Sequence, residues 1–244
     1  THNVTVDTGL PSVSFNAISD DNVLNAVEKG QDLSVSGTSA NLAEGTVVTV
    51  ILNGKNYTAT TAADGTWSLT VPAADLASLG EANYTLSATA TNGVGNSVSN
   101  TANLLVDTAL PTVTINTVAG DNVINAAEVA AGQTLSGTVA NAEAGNTVTV
   151  TIGGHSYTAT VQSDLTWSVS VPESVLTALG NGDLTVSASV TNGVGNSGTG
   201  EREIVIDANL PGLRVDTVAG DDVINSIEHG QNLIITGSSD GLTA

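Results

Sequence analysis

Apolar residues recur at a period of two in short runs along most of the chain. Val48, Val50 and Leu52 form one such set, Trp67, Leu69 and Val71 a second, and Tyr84, Leu86, Ala88 and Ala90 a third. A period of two marks strands that bury one face. The runs predict strands over residues 12–18, 32–38, 46–52, 56–61, 66–71, 83–91 and 97–106, with Val13 and Phe15 on one face of the first. Between them lie turn signals: Asn53-Gly54, both tolerant of positive φ, and Ala63-Asp64-Gly65. Pro72 to Leu79 reads as a short helix with Pro near its start and Gly80 as its stop. Seven strands with closely spaced turns, in a stretch of about 100 residues, predict a two-sheet sandwich of immunoglobulin type.

The pattern then repeats. Residues 11–110 aligned without gaps on 111–210 share 44 identities in 100 positions, far above chance, so the chain is built from internal repeats. Tyr57, Trp67 and Pro72 return as Tyr157, Trp167 and Pro172, and Thr91-Asn92-Gly93-Val94-Gly95-Asn96-Ser97 returns unchanged at 191–197. The expected organisation is residues 1–6 as the last strand of a preceding repeat, 7–106 and 107–206 as two sandwiches, and 207–244 as the start of a third, incomplete one. Trp67 sits on the fifth predicted strand, not the third, and is expected in the core rather than as a stacking platform for a ligand.

Composition sharpens this. Aromatic residues are 2% of the 244, Met and Cys are absent, and 26 Gly accompany a core made of Val, Ile, Leu and Ala, which leans all-β. Without Cys there is no disulfide framework, thiol nucleophile or thiolate metal site. No run of about 18 apolar residues offers a membrane span. The formal charge is −20, with only Lys29, Lys55, Arg202 and Arg214 as bases, which argues against nucleic acid and against anionic lipid. Such a chain repels itself, and bound cations relieve the repulsion. His2, His155 and His229 occupy unrelated positions and carry no Ser/His/Asp pattern, and aromatics are too few for a glycosidase cleft, so no enzyme is expected.

The carboxylates are placed regularly. Asp21-Asn22-Val23-Leu24-Asn25-Ala26-Val27-Glu28 returns as Asp121-Asn122-Val123-Ile124-Asn125-Ala126-Ala127-Glu128 and as Asp221-Asp222-Val223-Ile224-Asn225-Ser226-Ile227-Glu228. Asp7, Asp107 and Asp207 recur at the same 100-residue step, each four residues before a Pro. If the strands alternate in direction, the loop after the first strand and the end of the seventh meet at one end of the sandwich. Asp21 and Glu28 then approach Asp107, and Asp164, in the turn before the fifth strand of the next repeat, faces the same junction. Asp20 and Asp64 are further candidates. Oxygen donors without His or Cys suit Ca²⁺, which accepts irregular coordination. The plainer alternative is capping: Asn25 with Glu28 can form a capping box, and the Asp side chains can close turns.

Val106-Asp107-Thr108-x-x-Pro111, Gly120-Asp121-Asn122-Val123-Ile124-Asn125-Ala126-Ala127-Glu128, Asp64-Gly65-Thr66-Trp67-Ser68 and Thr91-Asn92-Gly93-Val94-Gly95-Asn96 resemble the bacterial immunoglobulin-like repeats of giant, type I-secreted surface adhesins of the SiiE-type and the biofilm-associated, Bap-like kinds. The resemblance implies an elongated rod of tandem sandwiches with Ca²⁺ at the junctions. It also implies secretion to the bacterial cell surface and adhesion by the array to a host receptor, glycan or surface, as in biofilm formation or virulence. The expected partners are neighbouring repeats of the same chain, in a monomeric rod without membrane insertion. Two other readings are a carbohydrate- or receptor-binding module acting through exposed loops such as Asn92–Asn96, and a plain sandwich rod without metal. Two departures from the repeat pattern stand out: Asp20 faces Gly120 and Gly220, and Asp64-Gly65 becomes Asp164-Leu165.

Overall fold

A computed structural model describes His2, Val6 and residues 8–241. The chain falls into two compact units, Thr1–Thr112 with Val139–Asn146 and Val190–Thr199, and Val113–Thr138 with Thr147–Ser189 and Gly200–Ala244.

In the first unit the strands are β1 (Ser12–Phe15), β2 (Val23–Leu24), β3 (Leu33–Ala40), β4 (Val47–Leu52), β5 (Lys55–Thr60), β6 (Thr66–Val71), β7 (Ala82–Thr91) and β8 (Ser97–Val106). They form a three-stranded sheet in the order β1-β3-β6 and a five-stranded sheet in the order β2-β8-β7-β4-β5. These are the two layers of an immunoglobulin-like sandwich, so the protein is all-β as its periodicity predicts. The inward residues of both sheets make the core: Val35, Val48, Val50, Val71, Leu86, Ala88 and Leu104 are fully buried, with Trp67 at 2% exposure.

Two boundaries differ from expectation. The first strand stops at Phe15 rather than residue 18: Asn16 N makes the last bond to the facing strand, to the Ser36 carbonyl at 2.9 Å, and the chain then enters the loop whose Ser19, Asp20 and Asn22 take left-handed backbone angles. The helix expected over 72–79 is only Ala73–Leu76 (α1), whose inner face presents the buried Leu76.

The second repeat has the same plan in β9 (Thr112–Val113), β10 (Val123–Asn125), β11 (Gln133–Ala140), β12 (Thr147–Ile152), β13 (His155–Thr160), β14 (Thr166–Val171), β15 (Gly182–Thr191) and β16 (Ser197–Asp207), in the orders β14-β11-β9 and β10-β16-β15-β12-β13. Its helices are longer, α2 over Ala126–Ala131 and α3 over Glu173–Leu179. Gly30 ends the counterpart of α2 after the 3₁₀ turn Glu28–Gly30, whereas Ala130 and Ala131 continue the helix to Gly132, at φ 72°.

After Asp207 only one further ladder is described, β17 (Gly212–Val215) on β18 (Gly237–Asp240). Among the described residues these two strands have no second layer over them, and Leu213, Val223, Ile224, Ile227 and Ile234 are all more than half exposed.

Candidate functional site

Each acidic stretch is anchored by the core it overlies. Ile18 and Leu24 are 1% and 0% exposed, and Val118 and Ile124 are 2% and 0% exposed. Between each pair the chain loops outward, and Asp21 and Asp121 reach solvent. The stretch is not a loop throughout. Val23–Leu24 pairs in parallel with Leu105–Val106, and Val123–Asn125 pairs with Val205–Asp207. This short strand ties the acidic segment to the last strand of its own sandwich. Asn125 lies directly opposite Asp207, and in the first repeat the Asp107 N–H donates to the Leu24 carbonyl at 3.2 Å.

The side chains of the octapeptide serve the backbone. Asp21 Oδ1 accepts from Val23 N at 2.8 Å, and Asn22 Oδ1 from Ile18 N at 3.0 Å. Asn25 Oδ1 accepts from Val27 N and Glu28 N, while Glu28 Oε2 accepts from Asn25 N, all at 3.0 Å. That reciprocal pair is a capping box. It recurs between Asn125 and Glu128, and between Asn225 and Glu228. Asp121 and Asp221 repeat the Asp21 turn, and Asn122 and Asp222 repeat the Asn22 bond.

Position 20 has a conformational reason for its variability. Asp20 has φ 61°, and Gly120 and Gly220 have 95° and 90°. Gly adopts this region freely, and Asp tolerates it better than most residues.

Asp64 and Asp164 sit in the turns before β6 and β14. Each accepts from the N–H and the hydroxyl of the Thr two residues later, with the hydroxyl bonds at 2.7 Å. These bonds to Thr66 and Thr166 hold both carboxyls below the ordinary Asp range. Asp107 Oδ1 accepts from Ala109 N at 3.2 Å, and Asp207 Oδ1 from Asn209 N at 3.2 Å. Asp7 lies outside the described residues.

Asp21, Glu28 and Asp107 thus each spend one carboxylate oxygen on a backbone N–H, and the other oxygen has no protein hydrogen bond among the described residues. The donors are of the type a hard cation takes. They do not converge: among the described residues no three His, Cys, Asp or Glu side chains stand close enough to hold a metal ion.

One residue that the sequence did not single out completes this corner of the first unit. Asn196 is 1% exposed. Its Oδ1 accepts from Ala26 N at 2.8 Å, and its Nδ2 donates to the Asp107 carbonyl at 2.8 Å. The Asn192 side chain fixes it by accepting from Asn196 N at 2.9 Å. The signal was available in the unchanged return of the seven-residue loop, which reads as an exposed contact surface until its burial is seen. Val94 of the first copy is 58% exposed, whereas Val194 is half-buried.

The sequence pattern of the bacterial Ig-like domain family matches residues 10–108. No match was found among curated proteins. A solved chain from a 1.5-MDa bacterial ice-binding adhesin, described for its host cell surface retention, is 30% identical over 96% of this chain and 78% of its own, with a TM-score of 0.54. A second, from a Ca²⁺-stabilised adhesin that helps an Antarctic bacterium reach out and bind ice, is 34% identical over 99% of this chain and 60% of its own, with a TM-score of 0.58.

Proposed function

The chain belongs to the bacterial Ig-like domain family of adhesin repeats, and we propose that it is a Ca²⁺-stiffened rod segment of a large cell-surface adhesin, structural rather than enzymatic. The observation that carries this reading is the register that sets the acidic loop beside the start of the linker, with Asp107 N on the Leu24 carbonyl and Asn125 opposite Asp207. Ca²⁺ would draw in the uncommitted oxygens of Asp21, Glu28 and Asp107 at one junction, and of Asp121, Glu128 and Asp207 at the next. Asp221 and Glu228 offer the same donors in the third loop. Asp64 and Asp164, already engaged by Thr66 and Thr166, are weaker candidates. Asn22, Asn25 and their counterparts contribute by holding the loop in shape. Residues 7–106 and 107–206 are the proposed repeat units. The Ca²⁺ stabilisation of one similar adhesin supports the reading. Adhesion to a host cell or surface is assigned to the whole array, on which this segment presents or extends the contact.

Calorimetric titration with Ca²⁺ tests it. Saturable binding is expected with Kd about 10⁻⁴–10⁻³ M, as for other extracellular modules. Replacing Glu128 and Asp207 together by Ala should remove one class of site and leave the rest. Flat titrations of the unaltered chain would remove the metal from the proposal.

A further inference from the structure

We propose that the groove between β1 and β8 of the first unit binds a guanidinium group, carried by an arginine side chain of a peptide or protein. The groove, of about 530 Å³, is lined by residues including Phe15, Asn16, Asn22, Asn100 and Ala102. It holds no cation of its own.

The second repeat shows what such a groove takes. At the positions 100 residues later, Phe15 becomes Ile115, Asn22 becomes Asn122 and Ala102 becomes Arg202. Arg202 lies half-buried, its Nε donating to the Ile115 carbonyl at 2.7 Å and its Nη1 to Asn122 Oδ1 at 3.4 Å. In the first repeat the same two acceptors are present, the Phe15 carbonyl and Asn22 Oδ1, the latter turned toward Ile18 N at 3.0 Å. The side chain at 102 is a methyl group, and the space an arginine would fill is open.

Two further features favour guanidinium over ammonium. A planar fork can reach two acceptors at once, and it stacks on an aromatic face. The half-buried Phe15 lines the groove, its ring held edge-on to Trp67 at 5.4 Å between centroids. The chain's charge of −20 draws cations to its surface. None of its lining residues is a carboxylate, and Asn22, which also shapes the acidic loop, is the one residue it shares with the calcium reading, so EDTA separates the two.

The test is amide NMR of the whole chain titrated with acetyl-arginine amide, in EDTA, with acetyl-citrulline amide and acetyl-lysine amide as controls. Saturable shifts are expected at 15–17 and 100–103, with Kd about a millimolar, as befits one charge-assisted contact pair, at least tenfold weaker for citrulline and weaker for lysine. Ala102→Arg should fill the groove from within and abolish the shifts. Arg202→Ala should open a second site with shifts at 115–117. Equal binding of citrulline, absence of shifts at 15–17, or persistence of binding in a folded Ala102→Arg chain would each overturn the proposal. Should Ala102→Arg not fold, failure of Arg202→Ala to gain the second site does so.

Discussion

Position 165 holds the clearest local conflict in the chain. The turn before β6 uses Asp64-Gly65, with Gly65 at φ 80°, and the turn before β14 keeps the fold with Leu165 at φ 63°. Left-handed backbone costs a Cβ-bearing residue about 1–2 kcal/mol, and Leu165, at 37% exposure, offsets part of that by the burial of the rest of its side chain. Leu165→Gly relieves the strain but adds the entropy of Gly and gives up that burial, so the second sandwich should change in stability by less than about 1 kcal/mol despite the loss of a large apolar side chain, read from the denaturant midpoint. Asn196 is the opposite case, a polar side chain the fold cannot spare. Asn196→Ala leaves the Ala26 N–H and the Asp107 carbonyl without their partner. Each orphaned group carries its own desolvation penalty, so a loss of about 2 kcal/mol is expected. Hydrogen exchange at Ala26 is the local check, since its protection should fall whether or not Ca²⁺ is present.

At the scale of elements, the strands were legible because β periodicity is local. Val48, Val50 and Leu52 announce one buried face, and all three are at 2% exposure or less. The acidic segment was not legible as a strand. Val23–Leu24 is two residues long, and its partner lies some 80 residues later, so no local alternation could reveal it. Its capping role was visible, because the Asn-x-x-Glu spacing is itself the signature of a capping box. The close crossing of β1, β3 and β6 was equally hidden. A Cβ on Gly37 would stand 1.8 Å from the Ser14 carbonyl oxygen and 2.5 Å from Trp67 Cζ2. Neither backbone nor a buried indole gives way readily, so Gly37→Ala should cost about 3 kcal/mol. Gly137, equally close to the Thr114 carbonyl oxygen, should behave alike. Thermal unfolding of the two variants checks both, and a neutral Gly37→Ala would mean the sheet relaxes there.

For the whole molecule, the charge of −20 makes stability a function of the cations present. A ligand that binds only the folded chain contributes RT ln(1 + [L]/Kd), or about 2.7 kcal/mol per site at a hundredfold excess over Kd. Unfolding midpoints in Ca²⁺ should therefore exceed those in EDTA by an increment that grows with Ca²⁺ concentration. Equal midpoints in Mg²⁺ and Ca²⁺ would point to general screening rather than a coordination site. Small-angle scattering in the two conditions reads stiffness directly: unchanged dimensions would leave Ca²⁺ without the stiffening role.

Sequence alone determined the sandwich, the 100-residue repeat, the absence of thiol chemistry and the oxygen-only character of the acidic stretches, because alternation, identity and residue type are properties of the chain read locally. The strand count also placed the acidic loop at the end of the sandwich where Asp107 emerges. Tertiary structure decided the rest. It turned Val23–Leu24 into a strand, set Arg202 between the Ile115 carbonyl and Asn122 while the matching groove beside Ala102 stays open, and buried Asn196 on the Asp107 carbonyl. Those outcomes depend on groups tens to more than a hundred residues apart competing for the same hydrogen bonds, and such competition is settled only when the sheets have closed.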